Sequence, residues 1–260
     1  MKLLVDVGNT RVKLAVLEKN ALRFVAAVPT QDAALMRQAL EEQIAKLGAI
    51  EAVWGVCVGH LAVAQCVEAS LPTNLTLQWV QSTPKAGGVF NRYPEPQQLG
   101  ADRWVGVIGL TRHFQFDGDR GASAVLVNFG TATTVDTLGS DRAFRGGLIL
   151  PGVVMMQTAL AQGTARLPQA NGDVVDNPIG TASAIASGIA AAQIGAIKRQ
   201  LEIAQRNDGQ MPLLCVSGGA YGKIQGALED SVKGVPIHHL PLVVLDGLAV
   251  LAQETNHISG

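Results

Sequence analysis

Cysteine and net charge are both low in this 260-residue chain, which has three cysteines and a formal net charge of -1 at pH 7. Cys57, Cys66 and Cys215 lie far apart in apolar contexts and match no zinc-binding spacing. We therefore expect buried thiols in a reducing compartment. The balanced charge argues against a dedicated nucleic-acid-binding protein and leaves room only for a local basic patch.

Long hydrophobic runs are also missing, because Gly, Pro or charged residues interrupt every apolar stretch well short of a membrane span. The amino terminus enters a strand pattern directly, without a basic region followed by an apolar run, so we expect no signal peptide. The five histidines form no H-x3-H or H-E-x-x-H pattern. These features predict a cytoplasmic protein that binds neither membrane nor nucleic acid.

Several phosphate-binding and hydrolase signatures do not occur. No G-x-x-x-x-G-K-[ST] motif is present, and no G-x-G-x-x-G follows a strand, which excludes a standard P-loop. The Ser217-Gly218-Gly219-Ala220 run is not the G-x-S-x-G turn of α/β-hydrolases, so a Ser-His-Asp triad has little support. What the chain does have is 48% hydrophobic residues and 29 glycines, a composition typical of a core-rich globular protein with one large or two small domains.

The stretch from residue 3 to residue 16 predicts a β-hairpin. Apolar residues alternate on both sides of a Gly8-Asn9 break, which is the pattern of strand, tight turn and strand. Asp6 points away from the apolar set, beside a turn whose backbone N–H groups could bind an anion. A hydroxyl and two cations follow, from Thr10, Arg11 and Lys13. These groups suit a magnesium–nucleotide site, and an ordinary hairpin with solvated charges is the alternative.

The remainder of the first half predicts a mixed α/β arrangement. Apolar patterning indicates a third antiparallel strand at 22–28, later strands at 52–58 and 76–80, and helices at 33–47 and 60–71. Thr30 is the predicted N-cap of the first helix. Residues 82–98 carry several Pro and Gly together with Asn91, Arg92 and Tyr93, and we predict a functional loop there.

A helix is predicted to begin at Gly100-Ala101-Asp102-Arg103. Asp102 therefore lies at or near a helix N-terminus, where an acid is common for capping alone. A surface charge is the corresponding alternative for Arg103.

The second half resembles a repeat of the first. Aligning the strand pattern at 124–136 with the opening stretch places Asn128 on Asp6 and Gly130 on Gly8, which indicates an internal duplication. Chance similarity of two hairpins is the alternative. A polar segment at 117–121 is the predicted boundary between the halves. Further strands are predicted at 144–150, 211–217 and 236–239, and helices at 153–161, 182–205 and 242–253.

Taken together and in order, these motifs resemble those of the type III pantothenate kinases. The matching runs are Asp6-Val7-Gly8-Asn9-Thr10, Gly100-Ala101-Asp102-Arg103, Gly130-Thr131-Ala132-x-Thr134-x-Asp136, Gly146-Gly147-x-Ile149-x-Pro151-Gly152 and Ser217-Gly218-Gly219. The resemblance implies an α/β, actin-like fold of two duplicated ribonuclease-H-like domains, residues 1–118 and 119–260, with mixed sheets flanked by helices and ATP in the cleft between the domains. It also implies a homodimer.

The resemblance implies ATP-dependent phosphorylation of pantothenate, the entry step to coenzyme A, with Asp102 as general base. It places Mg²⁺ near Asp6. The implied ATP-binding residues are Asp6, Val7, Gly8, Asn9, Thr10, Arg11, Val12, Lys13, Thr131, Gly218 and Gly219. The implied pantothenate-binding residues are Tyr93, Gly100, Ala101, Asp102, Arg103 and Thr181. Arg103 could bind the pantothenate carboxylate or the transferring phosphoryl group, and the sequence does not choose between these roles.

One position departs from the family pattern, since Asn128 stands where an Asp usually binds a monovalent cation. A requirement for potassium or ammonium is therefore in doubt. Two other functions stay open: a non-catalytic transcriptional accessory factor resembling the Bvg accessory factor family, and a sugar or acetate kinase of the same superfamily. Asp6, Asp102, Arg103 and Thr131 together favour an enzyme.

Overall fold

The computed structural model of the chain describes residues 1–116, 121–163 and 172–254. By its contacts the chain divides into two compact units, one formed by Met1–Gln115 with Leu242–Gly260 and the other by Phe116–Pro241. Within the described ranges, no helix combines the length and the hydropathy that a membrane span requires.

The first unit is built on a five-stranded mixed sheet with the order β3-β2-β1-β4-β5. Its strands are β1 (Lys2–Val7), β2 (Arg11–Glu18), β3 (Ala21–Pro29), β4 (Ala52–Cys57) and β5 (Leu77–Trp79). β1 pairs antiparallel with β2 and parallel with β4. Leu3, Val5, Val12 and Leu14 are fully buried, so the alternating apolar residues of the opening hairpin form the centre of the core.

The helices of the first unit are α1 (Ala33–Ala45), α2 (Leu61–Ala69), α3 (Ala101–Leu110) and α7 (Val243–Glu254). The predicted N-cap of α1 is wrong. Asp32 caps this helix, because its carboxylate accepts hydrogen bonds from the N–H groups of Ala34 and Leu35. The hydroxyl of Thr30 is committed elsewhere, since it donates to the carbonyl of Asn9 over 2.8 Å.

α7 packs with the first unit, whereas the division made from the sequence places it in the second half. The contact is very close, because a Cβ atom on Gly109 of α3 would overlap the carbonyl oxygen of Val243. A Cβ atom on Gly247 of α7 would likewise overlap the carbonyl oxygen of Val105. The two glycines therefore let the backbones of α3 and α7 touch, and this places α7 in the same core as α3.

Residues 82–98, predicted as a loop, contain short regular elements. The strands β6 (Lys85–Ala86) and β7 (Val89–Asn91) form an antiparallel hairpin, and a 3-10 turn follows at Pro96–Gln98. Gly87 and Gly88 have φ values of 58° and 71°, as the hairpin turn requires. Ser82 is buried, and its hydroxyl donates to the carbonyl of Leu99 over 2.8 Å. This bond joins the two ends of the segment.

The second unit repeats the strand order of the first. Its strands are β8 (Ala124–Phe129), β9 (Ala132–Leu138), β10 (Ala143–Pro151), β11 (Leu213–Ser217) and β12 (Ile237–His239), in the order β12-β11-β8-β9-β10. As in the first unit, the first strand pairs antiparallel with the second and parallel with the fourth. The predicted α/β architecture with mixed sheets is confirmed, and the shared topology supports the predicted duplication.

The helices of the second unit are α4 (Val153–Gly163), α5 (Thr181–Asp208) and α6 (Gln225–Ser231). α5 buries a row of isoleucines against the sheet, including Ile189, Ile194 and Ile197. The sequence did not predict α6. It has seven residues and a single buried side chain, Leu228, so its apolar pattern is too short to recognise. The predicted boundary at 117–121 lies almost entirely outside the described residues.

Candidate active site

The turn between β1 and β2 is held from two neighbouring segments. Within the turn, the N–H of Gly8 donates to the carbonyl of Arg11 over 3.1 Å. On one side, Thr30 bonds to the turn through its N–H, which donates to the carbonyl of Thr10, and through its hydroxyl. On the other side, a Cβ atom on Gly59 would lie 2.9 Å from the carbonyl oxygen of Gly8. Sequence reasoning missed both supports, because each comes from a distant segment with no local signal.

The turn is well placed to receive a ligand, because Asn9, Thr10 and Arg11 are exposed at its tip while the strands on either side are buried. A supported turn with exposed N–H groups and a cation is suited to bind phosphate oxygens.

Asp6 lies at the end of β1, directly opposite Lys13 in the strand register. The Lys13 Nζ is 3.6 Å from the carboxylate of Asp6, which is buried. Burial raises the pKa of Asp6, Lys13 lowers it, and the negative charge of Asp102 raises it further. Asp6 and Asp102 are therefore close enough to repel one another, although 96 residues separate them in the chain.

Asp102 is the second residue of α3, and Gly100 is the N-cap. One carboxylate oxygen of Asp102 accepts the N–H of Arg103 over 2.8 Å, so the acid does satisfy a free donor at the helix start. Burial nevertheless raises the pKa of Asp102, and the hydrogen bond and charge of Arg103 offset this only in part. A carboxylate whose proton affinity is raised is better suited to accept a proton from a substrate than an ordinary surface acid.

Arg103 is buried, so the alternative of a surface charge is wrong. Its Nη1 donates to the hydroxyl of Tyr93 over 3.4 Å. The first unit thus brings together three motifs that are separate in the sequence: the Asp6 turn, the Tyr93 segment and the Gly100–Arg103 helix start.

The second unit brings its own two glycine motifs together. The turn after β8 exposes Gly130 and Thr131, and the N–H of Gly152 donates to the carbonyl of Thr131 over 3.0 Å. Gly218 has a φ of 95°, and a Cβ atom there would overlap the carbonyl of Phe129. Only glycine fits at position 218, and the Gly218-Gly219 run therefore lies close to the end of β8, which leads into the turn with Thr131. The resemblance assigns both segments to ATP binding. Thr181 is the exposed first residue of α5.

A family model described as type III pantothenate kinase matches residues 2–203 of the chain. The chain belongs to the type III pantothenate kinase family. It is 40% identical to the type III pantothenate kinase of Bordetella petrii over 264 residues, covering 98% of both chains. It is 39% identical to that of Aromatoleum aromaticum, again covering 98% of both chains.

Solved structures agree on the fold. A Campylobacter jejuni protein described as a Baf family transcriptional activator superposes with a TM-score of 0.57 at 17% identity, covering 98% of this chain and 99% of that one. An archaeal actin homologue superposes with a TM-score of 0.50 at 13% identity, covering 98% and 99%. At these identities the likeness shows the fold alone, and that fold is the actin-like one predicted from the sequence.

The position of Asn128 can be compared with the monovalent-cation site expected for a type III pantothenate kinase. In the register of the sheet, Asn128 has Thr134 on one side and Ser217 on the other. These three side chains offer oxygen atoms but no negative charge, so the row does not fit a cation site that depends on a carboxylate. Among the described residues, no group of three or more His, Cys, Asp or Glu converges on a metal site either.

Mg²⁺ is a different case, because it is commonly bound through one or two carboxylates together with substrate phosphates. Asp6 fits that role, since it is a buried carboxylate beside the turn between β1 and β2, where Lys13 attracts it and Asp102 adds a second negative charge nearby.

Proposed function

We propose that this chain transfers the γ-phosphoryl group of ATP to pantothenate, giving 4'-phosphopantothenate, the first intermediate on the route to coenzyme A. Membership of the type III pantothenate kinase family supports this activity. The single observation that carries it in the structure is the cluster of Asp6, Asp102, Arg103 and Tyr93 within the first unit.

In the proposed reaction the primary hydroxyl oxygen of pantothenate attacks the γ-phosphorus, and the bond from that phosphorus to the β,γ-bridging oxygen breaks. Asp102 accepts the hydroxyl proton, and ADP leaves with the bridging oxygen. Mg²⁺, when bound with ATP, neutralises phosphate charge, and Asp6 is the residue that would hold it. Lys13 lowers the pKa of Asp6 against the larger effect of burial, and it brings a second positive charge to the turn.

The proposed substrate contacts follow the family motifs. ATP would bind to the turn from Asp6 to Lys13, and to Thr131, Gly218 and Gly219. Pantothenate would bind to Tyr93, to the run Gly100–Arg103 and to Thr181. Arg103 has two candidate partners, the pantothenate carboxylate and the transferring phosphoryl group, and an Arg103→Gln variant assayed with pantothenate and with pantothenyl alcohol separates them. An effect on both substrates favours the phosphoryl group.

We also propose that the chain is a homodimer. In the second unit, Gly188 and Gly195 of α5 have open space where a side chain would project, and Ile149, Val154 and Ile179 are exposed. Light scattering at micromolar concentration should give twice the chain mass, and a monomer would contradict the proposal. The cytoplasmic location stays a prediction from the sequence.

The activity is tested by coupled ADP release with pantothenate as acceptor. ADP release that depends on pantothenate supports the proposal, whereas release with a sugar or acetate in its place would favour another kinase of the superfamily. Calorimetry separates the accessory-factor alternative, because a non-catalytic regulator should bind neither ATP nor pantothenate.

A further inference from the structure

Tyr93 lies on a segment whose shape is set by a small hairpin. The N–H of Gly87, in the hairpin turn, donates to a carboxylate oxygen of Glu254 on α7 over 3.1 Å. A Cβ atom on Gly87 would overlap the side chain of Ile108 on α3, so the turn packs tightly against both helices. The hairpin turn is therefore anchored to α3 and α7 of the first unit.

Asn91 is the last residue of this hairpin, and its side chain bonds to the segment that carries Tyr93. Its backbone N–H donates to the carbonyl of Pro84 over 2.9 Å, which ties its main chain to the opposite limb. Its side-chain oxygen accepts the N–H of Tyr93 over 3.0 Å. Its side-chain nitrogen reaches the carbonyl of Pro96 at 3.5 Å. A bond from an Asn side chain to the N–H two residues later closes an Asx turn, which holds the backbone between them.

This turn decides the direction in which the Tyr93 side chain leaves the backbone. The bond from Arg103 to the Tyr93 hydroxyl is 3.4 Å long and joins the tips of two long side chains, so it restrains the backbone of Tyr93 weakly. The Asx turn holds that backbone directly, through the N–H of Tyr93. We infer that Asn91 is the positioning residue of Tyr93, and that it holds the Tyr93–Arg103 pair in place before pantothenate binds.

The inference rests on the proposed function, in which Tyr93 contacts pantothenate. Without the Asx turn, residues 91–96 would have to be ordered when the substrate binds, and that entropy cost would appear in substrate affinity. The phosphate-binding turn shares no described contact with Asn91, so the affinity for ATP should not change.

The experiment compares Asn91→Ala with Asn91→Ser, whose hydroxyl accepts the same N–H more weakly. Asn91→Ala removes the bond to the N–H of Tyr93 and the longer one to the carbonyl of Pro96. This loss should raise the KM for pantothenate by roughly three- to tenfold, with kcat and the KM for ATP within about twofold of wild type. Asn91→Ser should recover part of the loss. Gln98→Ala is the matched control, because it removes an exposed 2.6 Å bond to Glu95 in the same segment. It should leave the KM for pantothenate unchanged.

A double-mutant cycle tests whether Asn91 acts through Tyr93. In a Tyr93→Ala background, Asn91→Ala should add less than about twofold to the KM for pantothenate, because the group it positions is gone. Amide hydrogen exchange gives a readout without substrate, since the N–H of Tyr93 should exchange faster in Asn91→Ala than in wild type.

The outcomes separate the two proposals. If wild type phosphorylates pantothenate and Asn91→Ala leaves its KM unchanged, or if the two substitutions are additive, the positioning role is overturned and the proposed function stands. If wild type does not phosphorylate pantothenate, the proposed function fails, and the role of Asn91 fails with it.

Discussion

Asp102→Asn isolates proton acceptance from the other properties of the α3 start. The amide has nearly the same shape, and its oxygen can still accept the N–H of Arg103, so the helix should begin at the same residue. The amide cannot take a proton from the pantothenate hydroxyl. Loss of a general base costs roughly 10²–10⁴-fold in turnover, which is about 3 to 5 kcal/mol of activation free energy. Asp6, Lys13 and Arg103 stay in place, so a measurable residual rate should remain.

The same substitution should not lower the thermal stability of the chain, although it lowers turnover. Burial raises the pKa of Asp102 above its ordinary value of 3.8, so the folded chain binds this proton more tightly than the unfolded chain does. Ionisation of Asp102 therefore costs stability as pH rises from below 3.8 through the raised pKa, and the cost is fully present above that pKa. The Asp102→Asn variant carries no such charge. We expect its Tm at pH 7 to be no lower than that of wild type, with any gain shrinking toward pH 4.

The assay is coupled ADP release at saturating ATP and pantothenate, with thermal unfolding of the same samples. A fall in kcat of two or more orders of magnitude in a variant with unimpaired Tm supports proton acceptance by Asp102. A kcat within about tenfold of wild type would remove Asp102 as general base. A large loss of Tm would contradict the expected stability effect, because the amide keeps the bond to the N–H of Arg103 and only the negative charge is lost.

Three further changes test other parts of the site. Lys13→Met should raise the pKa of Asp6 further and increase the KM for ATP by roughly tenfold at pH 7, as enzyme assays across pH would show, and an unchanged KM would contradict a phosphate-binding role. Gly218→Ala should lose at least about 1 kcal/mol of unfolding free energy because of its positive φ, whereas Gly219→Ala, with open space around it, should not; equal losses would refute the close packing on Phe129. Wild-type turnover and Tm should be the same in potassium and sodium salts, while Asn128→Asp should make both depend on potassium; a potassium requirement in wild type would show that the neutral row binds the ion.

The sequence alone determined much of each sheet and the identity of the glycine motifs. Both hairpins could be predicted because their strands pair with near neighbours, so alternation of apolar residues and a glycine turn contain the whole pattern. Parallel strands such as β4 and β11 were predicted from their apolar runs. The N-cap of α1 was wrong, because two residues with suitable side chains, Thr30 and Asp32, precede the helix and only one is free to cap it.

Tertiary structure decided which of these parts meet. Arg103 bonds to Tyr93 ten positions away, and Asp102 lies within electrostatic reach of Asp6 across 96 positions. Gly109 of α3 packs against Val243 of α7, more than 130 positions along the chain. No local pattern specifies such contacts, since they depend on how closely whole elements pack, as at Gly109 and Gly247. Local alternation therefore determined the strands and turns, and packing of distant segments determined the charges, burial and geometry on which the proposed chemistry depends.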